Sequence, residues 1–401
     1  MLKQILYILS IICALFVNTN LAPFLGIDNI ITTAFSPILL FIGIQLVTGK
    51  INSNSLGKNP MPLIIIILAI WVIIIESGLG QDYFKAVFYF LMIPMLLSIS
   101  FEVLTRKEIV KLKGVFLFFY IVECTLAIIE RITHVIFFYI ENQTYEEIIY
   151  ATQEAWEFRS YALFPHPLAN AMVVVIIMTF IVCGNLSLKQ KMSYFLLGYV
   201  SLFCFNARGA ILLGTFCILP YFIWKINKIA KKKVIINIGL LSTILLMIYL
   251  VTNTSLGGRL LYSEQLMDGS AQTRLEVFSF YNFLSSQDLW WGGNEDIYHY
   301  VMIKLGAGGV ENGFIVLLLQ YGIILGPIIL FLLFAYQIKL LTPYYSKVDK
   351  YFILFVFYIM GFMNPALASS TPWIIFLFSY YSLKSSYEKN IMASHHSIYT
   401  V

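Results

Sequence analysis

Four arginines, Arg159, Arg208, Arg259 and Arg274, are the side chains of this sequence best suited to hold an anionic group. A guanidinium presents a planar fork of donors that grips phosphate or carboxylate through two bonds, and it stays charged while doing so. The competing use is an ion pair with a nearby acid, or a stem lying in lipid with its head at the surface. For Arg131, which follows Glu130, that use is the simpler one. Arg208, in the short turn Asn206-Ala207-Arg208-Gly209 between two apolar runs, is placed for function, and the other three are open between the two uses. Glu311 opens Glu311-Asn312-Gly313-Phe314 directly ahead of an apolar run. A carboxylate there either caps the helix behind it, where the dipole favours it, or takes a proton from a hydroxyl. His166 stands between two prolines in Phe164-Pro165-His166-Pro167, as a hydrogen-bonded structural group or a contact to ligand. Asn312, Trp291 and Tyr298 complete the set of candidate binding residues, the two rings doubling as candidates for interfacial anchors.

The elements that position these residues follow from composition. Hydrophobic residues make up 60% of the 401 and charged residues 12%, with a mean hydropathy of +0.83. A water-soluble domain is about half apolar and about one quarter charged. Apolar runs of roughly 17 to 25 residues, the length that crosses a hydrocarbon core, recur from end to end. The expected fold is therefore an all-α integral membrane protein, a single polytopic domain over residues 1–401. Twelve spans are expected, at 4–19, 29–48, 61–77, 84–101, 114–130, 168–184, 192–206, 209–224, 234–252, 312–338, 351–367 and 373–384. The first has Lys3 ahead of it but no small-residue cleavage site behind, and reads as a retained helix. The five cysteines fall in or beside apolar runs without metal-ligand spacing and read as packing residues.

Lysine and arginine accumulate on the cytoplasmic side of short loops. With both termini inside, 19 of the 26 basic residues face the cytoplasm and 7 the other side. The parity turns on Met192 to Trp224. As one tilted helix it would bury Arg208 near its middle, at about 2.5 to 3.5 kcal/mol on insertion scales. Two short helices joined at 206–209 avoid that cost and keep the Lys225–Lys233 cluster inside. Five of the six arginines then lie at or beyond the outer face, against the inward trend of the lysines, and most acids lie outward as well. Two long outer loops result, at 131–167 and 253–311; the second is rich in aromatic residues and has helical spacing over Val277, Phe280, Tyr281 and Leu284, with Ser270 as its candidate cap. Glu123 falls well inside a span, which marks it either as functional or as a neutral acid bonded to a neighbouring helix.

Three segments in order carry a resemblance. They are Arg159-Ser-Tyr-Ala-Leu-Phe-Pro-His-Pro-Leu-Ala-Asn170; the turn Asn206-Ala-Arg208-Gly-Ala210; and Arg274 followed by Trp291-Gly-Gly293, Glu311-Asn-Gly313 and Tyr321-Gly-Ile-Ile-Leu-Gly326. Over residues 155 to 330 the chain resembles the O-antigen polymerase and O-antigen ligase-like family, the Wzy-type polymerases of surface polysaccharides. The resemblance implies a helical bundle of the kind found in lipid-dependent, GT-C-like glycosyltransferases, set in the bacterial cytoplasmic membrane. It also implies glycans on undecaprenyl pyrophosphate as substrates, for O-antigen or capsular polysaccharide. Residues matching Arg208 and Arg274 would hold the pyrophosphate, with Arg159 or Arg259 beside them. Ligases of the family often carry histidine where Glu311 stands here, which suits a polymerase in which a carboxylate is the base.

No metal or other cofactor is required by such a reaction, since a diphosphate is already a good leaving group. The implied partners are the lipid-linked oligosaccharides and the bilayer, with a chain-length regulator and a flippase as neighbours, and no nucleic acid. Rival functions are a flippase or transporter for the same lipid-linked sugar, and the ligase. The first would place its polar residues near the bilayer midplane in broken helices, whereas here they gather at the outer edge.

Overall fold

The computed structural model of the protein describes residues 2–17, 37–48, 50–51, 59–78, 87–138, 158–229, 277–293 and 310–384, together with positions 242, 249, 251–254, 256, 258, 300, 301, 303 and 304. Arg259, Arg274 and Tyr298 lie outside the described residues, as do Ser270 and most of the span expected at 234–252. All regular structure among the described residues is helical. Among the described residues, three stretches are long and apolar enough to cross a membrane, Arg106–Thr133, Arg208–Lys228 and Gly313–Leu341, and shorter apolar helices accompany them. The protein is a helical membrane protein.

The chain divides into two compact units. The first comprises Met1–Ala14, Pro37–Gly114 and Met267–Val401, the second Leu15–Ser36 and Val115–Leu266. In the first unit, α1 (Leu2–Phe16), α2 (Pro37–Val47) and α3 (Met61–Gly78) precede a π-helical turn, Phe88–Met92, that runs into α4 (Ile93–Glu102). α4 is central: Ile93, Met95, Leu97, Ile99 and Phe101 are all buried, and α2, α3 and the helix at Ser370–Leu383 pack around it. Phe101 meets the rings of Phe41, Phe378 and Tyr381 at 4.9 to 5.5 Å, tilted or edge-on contacts of the kind aromatic pairs favour.

α5 (Arg106–Thr133) begins in the first unit and ends in the second. The second unit adds α6 (Pro167–Cys183) and α7 (Leu188–Cys204). α8 (Arg208–Leu213) follows and is continued through a π-helical turn at Gly214–Ile218 into α9 (Leu219–Ile229). α6 is apolar on every side and buried from Asn170 to Cys183, so it forms the middle of this unit. α7 ends at Cys204 and α8 starts at Arg208, so the two-helix reading of 192–224 holds. Cys124, Cys183 and Cys204 are buried free thiols, while Cys13 and Cys217 are partly exposed.

The first unit is completed by a 3-10 turn at Val277–Phe283, α10 (Ser286–Trp291), α11 (Gly313–Leu341), α12 (Lys347–Phe362), a 3-10 turn at Pro365–Ala368 and α13 (Ser370–Leu383). The helical spacing over 277–284 takes a 3-10 form, and α10 follows it at a place where no helix is expected. α11 departs furthest from expectation. The run 312–338 reads as one straight span, yet Gly322 has φ 67° and ψ 176° and breaks it. A Cβ on Gly326 would lie 3.5 Å from the Leu317 carbonyl oxygen and 3.8 Å from Leu318 Cα, although nine residues of unbroken helix span about 13 Å. Phe314 and Phe334, about 30 Å apart on a straight helix, both reach the Tyr358 ring, at 6.1 and 5.6 Å. α11 is therefore a helical hairpin doubled at Gly322. Its second arm, Ile323 to Leu341, is the part with the length to cross a bilayer.

Candidate functional site

The segment Phe158 to His166, which carries Arg159, leaves no helix or strand ladder to satisfy its backbone, so side chains do it instead. Four successive amides donate to side-chain oxygens. Tyr161 and Ala162 give theirs to Glu130 Oε2 at 2.7 and 2.9 Å, Leu163 to Glu123 Oε2 at 3.1 Å, and Phe164 to Asn170 Oδ1 at 3.0 Å. Ala162 takes φ 47°, and consecutive amides around a left-handed residue form a concavity that suits an anion. The anion is Glu130, whose other oxygen accepts from Phe137 N at 3.1 Å. Asn170 Nδ2 donates to the carbonyls of Phe164 and His166, each at 2.9 Å, and to that of Tyr161. Ser160 Oγ donates to Ala127 O at 2.7 Å.

This network revises two expectations. Glu130 and Arg131 diverge: the Glu130 carboxylate seats the loop, and Arg131, buried, donates Nη1 to the Phe158 carbonyl with its guanidinium 6.0 Å from that residue's ring. Glu123 bonds the backbone of the 158–166 loop rather than a neighbouring helix, and its Oε1 has no hydrogen-bond partner among the described residues.

The loop is tied to the Arg208 turn by its main chain, through Ser160 N donating to Cys204 O at 3.1 Å. Asn206 turns the chain there with φ 52°, and Arg208 is the first residue of α8. A cation at that end opposes the helix dipole, so helix stability does not account for it. Gly258, at φ 43°, lies against Asn206; a Cβ there would come within 2.5 Å of Asn206 Oδ1. Three separate stretches thus meet in the second unit: 159–160, 204–208 and 258. The first two hold Arg159 and Arg208, both partly exposed, and the third immediately precedes Arg259.

His166 is exposed and serves as the N-cap of α6, its Nδ1 accepting from Leu168 N at 3.2 Å. An accepting Nδ1 puts the proton of the neutral ring on Nε2. Pro167 behind it fits the first helical position, where no amide is needed.

Glu311 is in the first unit, partly exposed, immediately before the N-cap of α11. The cap is Asn312, whose Oδ1 accepts from Phe314 N and Ile315 N at 3.0 and 3.2 Å. Capping therefore falls to Asn312 and not to Glu311, and the oxygen of Asn312 is engaged by the helix. Gly313 fits because a Cβ would meet Leu367 Cβ at 2.6 Å and the Asn364 carbonyl at 2.8 Å. Over the same arm of the hairpin, Phe280, Val301 and Val310 close an apolar cluster with Ile315, Val316 and Leu319. The end of α10 reaches the tip: Gly293 N donates to Leu319 O at 2.9 Å. Trp291, partly buried, precedes that contact.

The residues that sequence inspection undervalued are Glu130, Asn170 and the pair Gly292 and Gly322. For Glu130 a signal existed: Glu123 and Glu130 are seven residues apart on an apolar helix, which puts two carboxylates on one face. Compared with models of known protein families and with curated proteins, the chain matches none.

Proposed function

We propose that the protein is a polysaccharide polymerase acting at the outer face of a bacterial cytoplasmic membrane, with twelve spans and both termini inside. An acceptor hydroxyl of one lipid-linked oligosaccharide attacks the anomeric carbon of a glycan carried on undecaprenyl pyrophosphate. The new glycosidic bond forms as the bond to the diphosphate breaks, and the lipid pyrophosphate leaves with the electron pair. Arg208 and Arg274 stabilise charge gathering on that leaving group, an effect worth about 10² to 10³ in rate per well-placed donor, and Arg159 and Arg259 bind the diphosphate of the incoming donor. Glu311 takes the acceptor proton. His166, Asn312, Trp291 and Tyr298 contact the glycan, the rings through their apolar faces.

The observation that supports this reading is the bond from Ser160 N to Cys204 O, which draws the Arg159 and Arg208 segments to one place. Two arginines fixed on rigid backbone suit a doubly charged leaving group better than they suit lipid headgroups, which need no fixed geometry. The test is polymerisation by the purified full chain in nanodiscs given lipid-linked repeat units, read as a glycan ladder. A ladder in the wild type, reduced at least 10²-fold in Arg208→Ala, supports the reading. Movement of the intact lipid-linked unit across the bilayer with no ladder would replace it with transport.

A further inference from the structure

We infer that Glu130 is a positioning residue for the proposed reaction: its carboxylate, seated in the amide concavity of Tyr161 and Ala162, fixes the loop that presents Arg159 to the lipid pyrophosphate. The inference rests on the polymerase reading for its substrate and on hydrogen-bond geometry for its mechanism.

Glu130 is buried on α5 and makes three contacts, all with backbone amides: Tyr161 and Ala162 through Oε2, and Phe137 through Oε1. A carboxylate accepts on both oxygens. Glutamine accepts on one only, and its amide nitrogen would face either Phe137 N or the paired loop amides, donor against donor. The near-isosteric change Glu130→Gln thus costs the site one of its two acceptors and sets donor against donor in either orientation, which loosens the seat with little change in shape. Arg159 lies two residues before the first seated amide, between buried Phe158 and buried Ser160. Its course is set by what holds those two residues and Tyr161. Ser160 is tied to Ala127 and Cys204, and the Phe158 carbonyl to Arg131. Releasing Tyr161 and Ala162 frees the left-handed turn at Ala162 to relax, since a non-glycine residue persists at positive φ only where its surroundings enforce it.

A residue that acts through Arg159 moves donor binding more than turnover, and has nothing left to act through when Arg159 is gone. The experiment is a double-substitution cycle of Glu130→Gln and Arg159→Ala in nanodiscs, with KM for the lipid-linked donor and kcat measured separately. Alongside it, hydrogen exchange is followed at the amides of residues 161–164. The expected result is a KM raised about tenfold in Glu130→Gln with kcat within threefold. In the Arg159→Ala background the same change should move KM by less than twofold, and exchange at Tyr161 and Ala162 should speed at least tenfold. Multiplicative effects in the double variant, or a fall in kcat with KM unchanged, would overturn the inference. If the wild type makes no ladder, the polymerase reading fails by itself, and exchange decides the rest: unchanged protection at 161–162 in Glu130→Gln would overturn the positioning role as well.

Discussion

Gly292 and Gly322 face each other backbone to backbone. A Cβ on Gly292 would stand 2.3 Å from the Gln320 carbonyl oxygen, and one on Gly322 the same distance from the Trp290 carbonyl oxygen. Both have positive φ, 88° and 67°, a region where side chains cost about 1 to 3 kcal/mol even without a clash. Gly322→Ala and Gly292→Ala are each expected to destabilise the fold by that amount or more. Because each removes the same close approach, the double variant should cost less than the sum. Thermal unfolding in nanodiscs reads both effects. A loss under about 0.5 kcal/mol in either single variant, the range of an ordinary surface change, would mean the contact is not made.

The doubling of α11 has a direct chemical test. Leu318 and Gly326 are neighbours across the hairpin, with a Gly326 Cβ 3.8 Å from Leu318 Cα. Cβ atoms joined by a disulfide are about 3.8 Å apart, whereas eight residues of straight helix would separate the pair by about 12 Å. The double variant Leu318→Cys/Gly326→Cys is expected to oxidise to an intrachain disulfide, identified by peptide mass spectrometry. Thiols that stay reduced under mild oxidant would restore the straight span.

The two helical breaks differ in how far the sequence reveals them. The turn at 206–209 is legible because one residue makes the alternative costly: a continuous helix would hold Arg208 inside the hydrocarbon. The break at Gly322 is not legible, because the run around it is apolar on both sides and a lone glycine is tolerated within a helix. What fixes Gly322 is Gly292, thirty residues earlier in the chain. Glu130 shows a similar limit. Adjacency suggests an ion pair with Arg131, but neighbours on a helix point about 100° apart, so one reaches the 161–162 amides and the other the Phe158 carbonyl. Because their expected placement runs against that of the lysines, the arginines stand out in sequence as candidate anion ligands. Their support, carboxylates and Asn170 bonded to backbone, has no pattern in sequence beyond the spacing of the two acids.

Glu123 should tolerate what Glu130 does not. Oε2 of Glu123 accepts from Leu163 N, and Oε1 meets no hydrogen-bond partner among the described residues. An amide in its place keeps the acceptor and sets its NH2 where no backbone donor opposes it. Glu123→Gln is expected to stay within about 1 kcal/mol of wild type in unfolding free energy, the net scale of one hydrogen bond. Glu123→Ala, which strands a buried amide and opens a cavity, should lose about 2 to 4 kcal/mol. Equal losses in the two variants would show that the charge, not the acceptor, is what the site uses.

Glu311 and Asn312 are adjacent but are expected to fail in different ways. Asn312 accepts from two amides of α11, so Asn312→Ala should cost the fold roughly 0.5 to 2 kcal/mol, the range for losing an N-cap side chain. Asn312→Asp or Asn312→Ser, which cap equally well, should restore that stability. The N-cap of α11 is Asn312, and Glu311→Gln, which keeps the side chain's shape and one acceptor oxygen, should leave the unfolding midpoint of the nanodisc-bound protein unchanged. If Glu311 is the base, the same variant loses about 10²- to 10⁴-fold in ladder formation, the usual contribution of a positioned proton acceptor. The pair is informative because its two readouts separate. Activity lost with stability kept at Glu311 supports the base, and stability lost at Glu311→Gln would return the residue to a structural role.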